Sequence, residues 1–369
     1  MAKAHIRVVK RDRSSFGRSA LTYLISILAA LAIGAMLLQS LGVNPFEYYG
    51  KMFTIGIPGS KLPHINIENF LKTFVPLLIT AIGLSLAFKM RFWNIGGEGQ
   101  FVVGAIQSAT VAFKLGPKLP NGVTLLLMAL AAMLSAGLYG LIAGALKVKF
   151  GTNETLLTLM LNYIATYTLT FLGERKGDWN FFLNPSSVRP IFGSFSAYAQ
   201  MPMFKIDKFS LNLSVIIACV LCVLIFIYIK YTKHGYELSV VGDSAGTARY
   251  AGMKVNRIVL RTVFLSAALI GLAAMLKVTT AGVLSATITD SVGWTGVIVA
   301  WLAKLNTLGI FVVSGLISVL QYGSTVASST YSAVDVNFAN MLQGIILFCI
   351  LAADFLTRFR IVLDRKQPS

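Results

Sequence analysis

The feature that most constrains this chain is the recurrence, along almost its whole length, of apolar runs close to twenty residues long. Such a run covers roughly 30 Å as an α-helix, the thickness of a bilayer's hydrocarbon core. Lipid offers no hydrogen-bond partners, and a helix satisfies its backbone within one segment. The runs lack sustained period-two alternation, which argues against an outer-membrane barrel. Composition agrees. Of the 369 residues, 56% are hydrophobic and 12% charged, against about 25% charged in ordinary soluble domains. The runs predict ten helices, at 19–41, 68–89, 97–115, 123–147, 154–173, 209–230, 258–278, 291–304, 308–327 and 338–357. The chain therefore reads as an all-α integral membrane protein with about ten transmembrane helices. The eighth run is short and predicts a partial or broken span.

The net charge of +18 invites a nucleic-acid reading. The cations instead sit at the ends of apolar runs, where they mark the cytoplasmic side. Residues 1–18 carry Lys3, Arg7, Lys10, Arg11, Arg13 and Arg18 against Asp12, a basic arm. Residues 358–369 form a basic tail with Arg358, Arg360, Arg365 and Lys366. Threading the helices back and forth places both termini inside, with 19–357 as the transmembrane domain. It puts 42–67, 116–122, 174–208, 279–290 and 328–337 outside. It puts 89–96, 148–153, 231–257 and 305–307 inside. The first apolar run is too long, and too lacking in a small-residue cleavage pattern, to be a removed signal peptide. Cys219, Cys222 and Cys349 lie within apolar runs with no further ligands nearby, which points to packing rather than metal binding.

Between the second and third helices stands Arg91-Phe92-Trp93-Asn94-Ile95-Gly96-Gly97-Glu98-Gly99-Gln100. It sets a carboxylate, two amides and three glycines between apolar segments. Irregular polar structure at membrane depth is tolerated only inside protein or beside a water-filled path. The segment therefore points to movement of something across the membrane. Asn94, Glu98 and Gln100 are candidate pathway residues, with Asn153 and Asn162 of the fifth helix. Glu98 either meets substrate hydroxyls or an amide, or couples gating to protonation, or caps the following helix, whose N-terminus favours a carboxylate. Asn162 falls mid-membrane, facing a pathway or a neighbouring helix. Phe92, Trp93 and Trp294 either stack on a ring of the substrate or anchor helix ends at the interface. Asp290, Gln321, Asn340 and Gln343 are weaker candidates, because polar side chains also glue helices together. Residues 94–105 (NIGGEGQFVVGA) echo 291–302 (SVGWTGVIVAWL), and 153–165 loosely echo 334–346. The first repeat runs inward and the second outward, which predicts two inverted repeats of broken or short helices around a midplane site.

The longest inner connection, 231–257, holds a small-residue stretch from Ala245 to Ala251 that ends at Gly252. Asp243 is placed to cap it and Gly252 to end it. A short amphipathic helix between two spans suits docking into a groove on another protein. Four motifs then resemble one family. Phe92 to Gln100 resembles the F-N-I-G-x-E-G-Q signature of permease subunits of ABC importers, in the nucleoside and simple-sugar branch. That family also includes ribose and branched-chain amino acid permeases. Gly151-Thr152-Asn153-Glu154 with Thr158 to Ala165 resembles the second signature. Gly235-Tyr236-Glu237-Leu238 with Val241-Gly242 and Ala248 to Met253 resembles the third. Gly293-Trp294-Thr295-Gly296 with Val299-Ala300 resembles the fourth. Together they span most of residues 70–350. Two positions depart: Trp93 replaces the usual Leu or Phe, and Thr307 stands where a proline usually follows Asn306.

The resemblance implies a permease subunit in the bacterial cell membrane that carries nucleosides and does no catalysis itself. It implies two cytoplasmic ATPase subunits that bind ATP and Mg, docked on Asp243, Ala248, Arg249, Tyr250, Ala251 and Gly252. It implies a second permease, identical or a shorter paralogue, and an extracytoplasmic binding protein or lipoprotein. No cofactor is expected on this chain. The sequence holds no G-x-x-x-x-G-K-[ST] phosphate loop, and no acid–base, nucleophile or metal constellation suggests a membrane enzyme. Simple sugars of the ribose or galactose type, or riboflavin, are alternative cargoes. An ion-coupled secondary transporter is the alternative of another class, which inverted repeats alone would permit.

Overall fold

A computed structural model of the chain describes residues 5–10, 16–58, 60, 62–331 and 333–364. Its helices are α1 (Phe16–Ser40), α2 (Pro45–Phe53), α3 (Pro63–Lys89), α4 (Gly97–Lys114), α5 (Asn121–Phe150), α6 (Glu154–Glu174), α7 (Leu213–Tyr231), α8 (Lys233–Asp243), α9 (Ala245–Tyr250), α10 (Val255–Ala281), α11 (Val292–Leu302), α12 (Thr307–Thr330) and α13 (Val336–Arg358). Four short strands are β1 (His5–Lys10), β2 (Met203–Ile206), β3 (Phe209–Asn212) and β4 (Phe359–Asp364). Among the described residues, eight helices are long and apolar enough to cross a membrane: α1, α3, α5, α6, α7, α10, α12 and α13. The other two expected crossings are α4 and α11. α11 has 11 residues, about 16 Å of helix, or half a bilayer core. The ten-crossing reading is thus approximate.

The chain divides into two compact units, residues 1–63 with 319–369, and residues 64–318. In the first, α2 buries Tyr48 and Met52 completely. Gly323 of α12 lies against the Met52 carbonyl, with no room for a Cβ. The Tyr49 hydroxyl donates to the Leu31 carbonyl at 2.8 Å. β1 and β4 pair antiparallel, His5 opposite Asp364 and Lys10 opposite Phe359. The basic arm and tail therefore meet through these strands. Residues 1–4, 11–15 and 365–369 of those segments lie outside the described residues.

The second unit is built on α3 and α10. Every residue of α3 from Phe74 to Phe88 is buried, as expected for a helix apolar on all sides. Small residues let backbones approach closely, which drives packing where lipid gives no hydrophobic advantage. A Cβ on Gly83 would stand 2.9 Å from the Ser266 carbonyl oxygen of α10. One on Gly104 of α4 would stand 2.7 Å from Gly271 Cα, and one on Gly140 of α5 2.6 Å from Ala267 Cβ. The outer helices expose aliphatic stripes, such as Leu126, Leu130, Leu134 and Leu138 on α5, which suit lipid.

Three elements differ from the sequence expectation. α2 stands inside the expected outer loop 42–67. It is too short to cross a membrane, but Asn44 caps it by accepting from Phe46 N–H at 3.0 Å, and Pro45 opens it. Residues 203–212 form the β2–β3 hairpin, with Met203 opposite Asn212, so α7 starts at Leu213 rather than 209. The inner loop 231–257 holds α8 as well as α9. One end of the unit gathers residues 90–92, Lys147, Glu154 and 241–245 around a cavity. The other gathers Thr170, Gly173, Glu174, 190–192 and 283–286 around a second. These groupings match the two sides of the threading.

Candidate functional site at two broken helices

α3 closes after Lys89. Arg91 adopts a left-handed conformation (φ 57°), and Phe92 N–H donates to the Ala87 carbonyl at 3.0 Å, a helix-ending turn usually built with glycine. From Phe92 to Gly96 the backbone is irregular, with Phe92, Asn94 and Gly96 buried, so side chains help to satisfy it. Asn94, fully buried, accepts from Gly96 N–H at 3.1 Å. It also forms a reciprocal amide pair with Gln100, both contacts at 3.1 Å. Two α6 residues supply the rest. Thr158 Oγ1 accepts from Ile95 N–H at 3.2 Å. Asn162 accepts from Gly99 N–H at 2.8 Å and donates to the Ile95 carbonyl at 2.9 Å. Thr158 and Asn162 stand four apart on one helix face, so they reach the same break together.

Gly99 N–H is one of the first-turn donors that α4 cannot satisfy itself, and Asn162 caps it from another helix. Glu98, also in that first turn and buried, does not cap α4. Its Oε2 accepts from Gly293 N–H at 2.9 Å, at the start of α11. Ser291, the residue before α11, has no side-chain cap bond and a φ of 57°. The carboxylate of Glu98 takes that place, where the helix dipole favours a negative charge. Thr289 and Trp294 also interact with it, and the Lys277 charge acts on it. Lys277 Nζ donates to Asp290 at 2.6 Å. A Cβ on Gly293 would collide with the backbone of Glu98. The N-termini of two short helices thus abut, with one carboxylate between them.

The structure therefore brings Asn94, Glu98, Gln100 and Asn162 together. Trp294 lies beside Glu98 and is 41% exposed. Phe92 is buried at the opening of the break. Trp93 stacks on Trp301 at 5.2 Å between ring centres. Asn153 stands apart: it is exposed and caps α6, accepting from Thr155 N–H at 3.0 Å. Glu154 next to it pairs with Lys147 at 2.6 Å. Sequence reasoning missed Thr158, Thr289, Lys277 and the contact through Gly293. Thr158 was legible one turn before Asn162. The reach of Glu98 to a residue 195 positions away left no local signal.

At the inner connection, Ser244 and not Asp243 caps α9, accepting from Thr247 N–H at 3.2 Å. Asp243 is the last residue of α8, and a serine hydroxyl in the extended Ncap conformation does the capping instead. α9 covers Ala245–Tyr250 and is followed by Gly252 at φ 75°. Ala248 is fully buried, while Arg249, Ala251 and Gly252 are exposed and Tyr250 is 97% exposed. At the end of α8, Gly242 sits on the Lys89 carbonyl, where a Cβ would collide. Glu237 of α8 accepts from Arg261 Nη2 at 3.0 Å. Arg261 Nη1 lies 2.5 Å from His234 Nδ1, and the same ring nitrogen lies 3.4 Å from Glu237 Oε2. Burial raises the Glu237 carboxyl, but hydrogen bonds and charge from Arg261 and His234 outweigh it and hold the group below its usual range.

Residues 66–351 match the family described as branched-chain amino acid transport system, permease component. The chain is similar to the nucleoside ABC transporter permease NupB of Lactococcus lactis, 27% identical over 90% of this chain and 91% of that protein. It is similar to the glucose ABC transporter permease TsgB13 of Haloferax volcanii, 25% identical over 94% and 91%. It is also similar to the guanosine ABC transporter permease NupP of Bacillus subtilis, 26% identical over 82% and 84%.

Proposed function

The chain belongs to the permease-component family of branched-chain amino acid transport systems, and from that premise we propose that it carries nucleosides through an ATP-binding-cassette importer. It is a multi-pass membrane protein and a non-catalytic transport subunit. The observation that carries the reading is the buried polar junction of α4 and α11, where Glu98 reaches Gly293 at 2.9 Å. Polar groups of this density inside a membrane unit mark a pathway or its seal. A nucleoside is neutral and rich in hydroxyls, which a carboxylate accepts from, and its base offers a ring to the half-exposed Trp294. Nucleoside-carrying relatives support this cargo over others. The glucose-carrying relative keeps a simple sugar as the second reading, since a sugar shares the hydroxyls and lacks only the base.

In this reading the end holding α8 and α9 faces the cytoplasm and both termini lie inside. Two ATPase subunits, which bind ATP and Mg, dock on α9 and its flanks. Tyr250 is the anchor, because exposed aromatics supply the strongest contacts at interfaces. A binding protein delivers cargo to the opposite end, and a second permease completes the pathway.

The test is uptake of radiolabelled uridine and adenosine into vesicles that hold the chain, its partner subunits, the binding protein and trapped ATP. Uptake that requires hydrolysis supports both class and cargo. Hydrolysis stimulated only by a delivered sugar keeps the class and replaces the cargo. Uptake indifferent to ATP overturns the class.

A further inference from the structure

The second cavity of the 64–318 unit lies at the end opposite α8 and α9. It is an open pocket of about 360 Å³, within the range of small-molecule sites. Its walls come from the end of α6, the loop 190–192 and the connector that follows α10. Each wall is held in place. Asn180 caps the α6 C-terminus, donating to the carbonyls of Leu172 at 2.8 Å and Arg175 at 2.7 Å. Asn184 N–H donates to the Ile191 carbonyl at 2.8 Å, and Gly193 N–H to Phe182 at 2.9 Å, so Phe192 is fixed between two bonded residues. The Phe192 ring packs on Gly173, where a Cβ would stand 3.0 Å from it. Phe195 N–H donates to the Gly282 carbonyl at 2.8 Å, and Ser194 pairs with Val283, which ties the loop to the connector.

Glu174 is the one charged residue that lines this cavity. It is the exposed last residue of α6, at a helix end where the dipole disfavours a carboxylate, so helix stability does not account for it. It makes no hydrogen bond or ion pair among the described residues. Thr170 and Ser285 add hydroxyls. Thr170 Oγ1 donates to the Thr166 carbonyl at 3.1 Å and keeps its acceptor capacity. A lone carboxylate repels anions and accepts from two vicinal hydroxyls at once. An aromatic wall beside it suits the face of a ring. The connector that forms the floor runs ten residues, 282–291, and leads into the first turn of α11, where Gly293 meets Glu98.

We propose that this cavity is a transfer site for a neutral polyhydroxylated ring, which binds its vicinal hydroxyls on Glu174 before passing along the connector to the Glu98 junction. The proposal rests on the importer reading and adds a stop on its route. Nucleosides and sugars share the diol, so the probes separate them. Saturation-transfer NMR is measured on the full chain with its partner subunits in nanodiscs, without binding protein. The probes are uridine, 2′,3′-dideoxyuridine and ribose. The expected result is transfer to the ribose protons of uridine, and an apparent Kd about tenfold weaker in Glu174→Gln. Dideoxyuridine should bind the unaltered protein no better than uridine binds that variant. Ser285→Trp, which fills the cavity, should abolish transfer. Ribose equal to uridine assigns recognition to the diol alone, as proposed, with no share for the base. Equal binding of uridine and dideoxyuridine, or an unchanged Kd in Glu174→Gln, overturns the site. Normal uridine uptake without saturation transfer defeats the transfer site and leaves the importer reading standing. Absence of ATP-driven uptake for every nucleoside and sugar defeats the importer reading itself.

Discussion

Asn162 and Glu98 do the same physical job at two different helix ends, and their substitutions should separate structure from transport. Asn162 holds Gly99 N–H and the Ile95 carbonyl, backbone groups with no helical partner of their own. A polar contact between membrane helices contributes only about 0.6 kcal/mol on average, because a lone side chain finds other partners. A backbone group locked in a buried break finds none, so the cost of an unmade bond, about 1–3 kcal/mol, governs here. Asn162→Ala should therefore destabilise the protein by about 2 kcal/mol or more, read as a lower thermal midpoint in nanodiscs; an unchanged midpoint would show that water replaces the amide. Glu98→Gln keeps an oxygen for Gly293 N–H and loses only the charge at the α11 N-terminus, a contribution of about 1 kcal/mol or less in such settings. It should insert and fold normally. A changed affinity or preference for cargo in that variant would assign Glu98 to the substrate. An unaltered preference, with Glu98→Ala failing to fold, would restrict it to capping. Gly293 leaves no such choice: any side chain there meets the Glu98 backbone, so Gly293→Ala should separate α4 from α11 and stop transport.

At the scale of elements, the sequence was most informative where an element is long and self-contained. The eight crossing helices were legible because an apolar run of about twenty residues has few other solutions. The eighth run was legible as a partial span, and α11 is indeed half a crossing. α2 and the β2–β3 hairpin were not legible, since nine and four residues leave little periodicity inside a loop. The polar break was located at Asn94 to Gln100 but not its partners, because pairing across 195 residues has no local pattern. α9 was anticipated within a residue, yet its cap was misplaced by one, since Asp243 and Ser244 are both good caps and α8 claims the first. α8 is the element that ties the inner connection to the pathway unit. Gly242 rests on the last carbonyl of α3, immediately before the break. Gly242→Val should push α8 off Lys89 and uncouple ATP hydrolysis from uptake while the chain still inserts; coupled transport in that variant would exclude this contact from the relay. Glu237 gives α8 a pH dependence of known sign. Its folded carboxyl sits below the ordinary value of 4.5, so its stabilisation is full above that value and is lost as pH falls through the lowered folded value. Hydrogen exchange of 233–243, corrected for intrinsic rate, should show protection that is constant near neutrality and falls only below about 4.5. The step should vanish in Glu237→Gln, and its persistence there would assign it to another group.

For the whole molecule the quantity to test is orientation, for which the positive-inside bias of the sequence makes a prediction. The two cavities define opposite ends of the 64–318 unit. The end with Arg91, Lys147 and 241–245 is also rich in basic span ends: Lys89, Lys149, Lys230, Lys233, Lys254 and Arg257. Short loops with Lys and Arg stay in the cytoplasm, and acidic residues weigh little in that choice. Both strongly basic termini favour the same side. The opposite end carries Arg175, Lys176, Arg189, Lys205 and Lys208 in the 174–208 connection, so the charge difference between the two ends is one of degree and orientation has to be measured. Single reporter cysteines test it. The native Cys219, Cys222 and Cys349 lie within α7 and α13, where a charged reagent in water does not reach. A membrane-impermeant maleimide on intact cells should label Ala286→Cys at the outer cavity. It should label Ala245→Cys, at the exposed start of α9, and His5→Cys only after permeabilisation. The reverse pattern would turn α9 outward, away from any cytoplasmic ATPase, and would remove the energy source on which the importer reading depends.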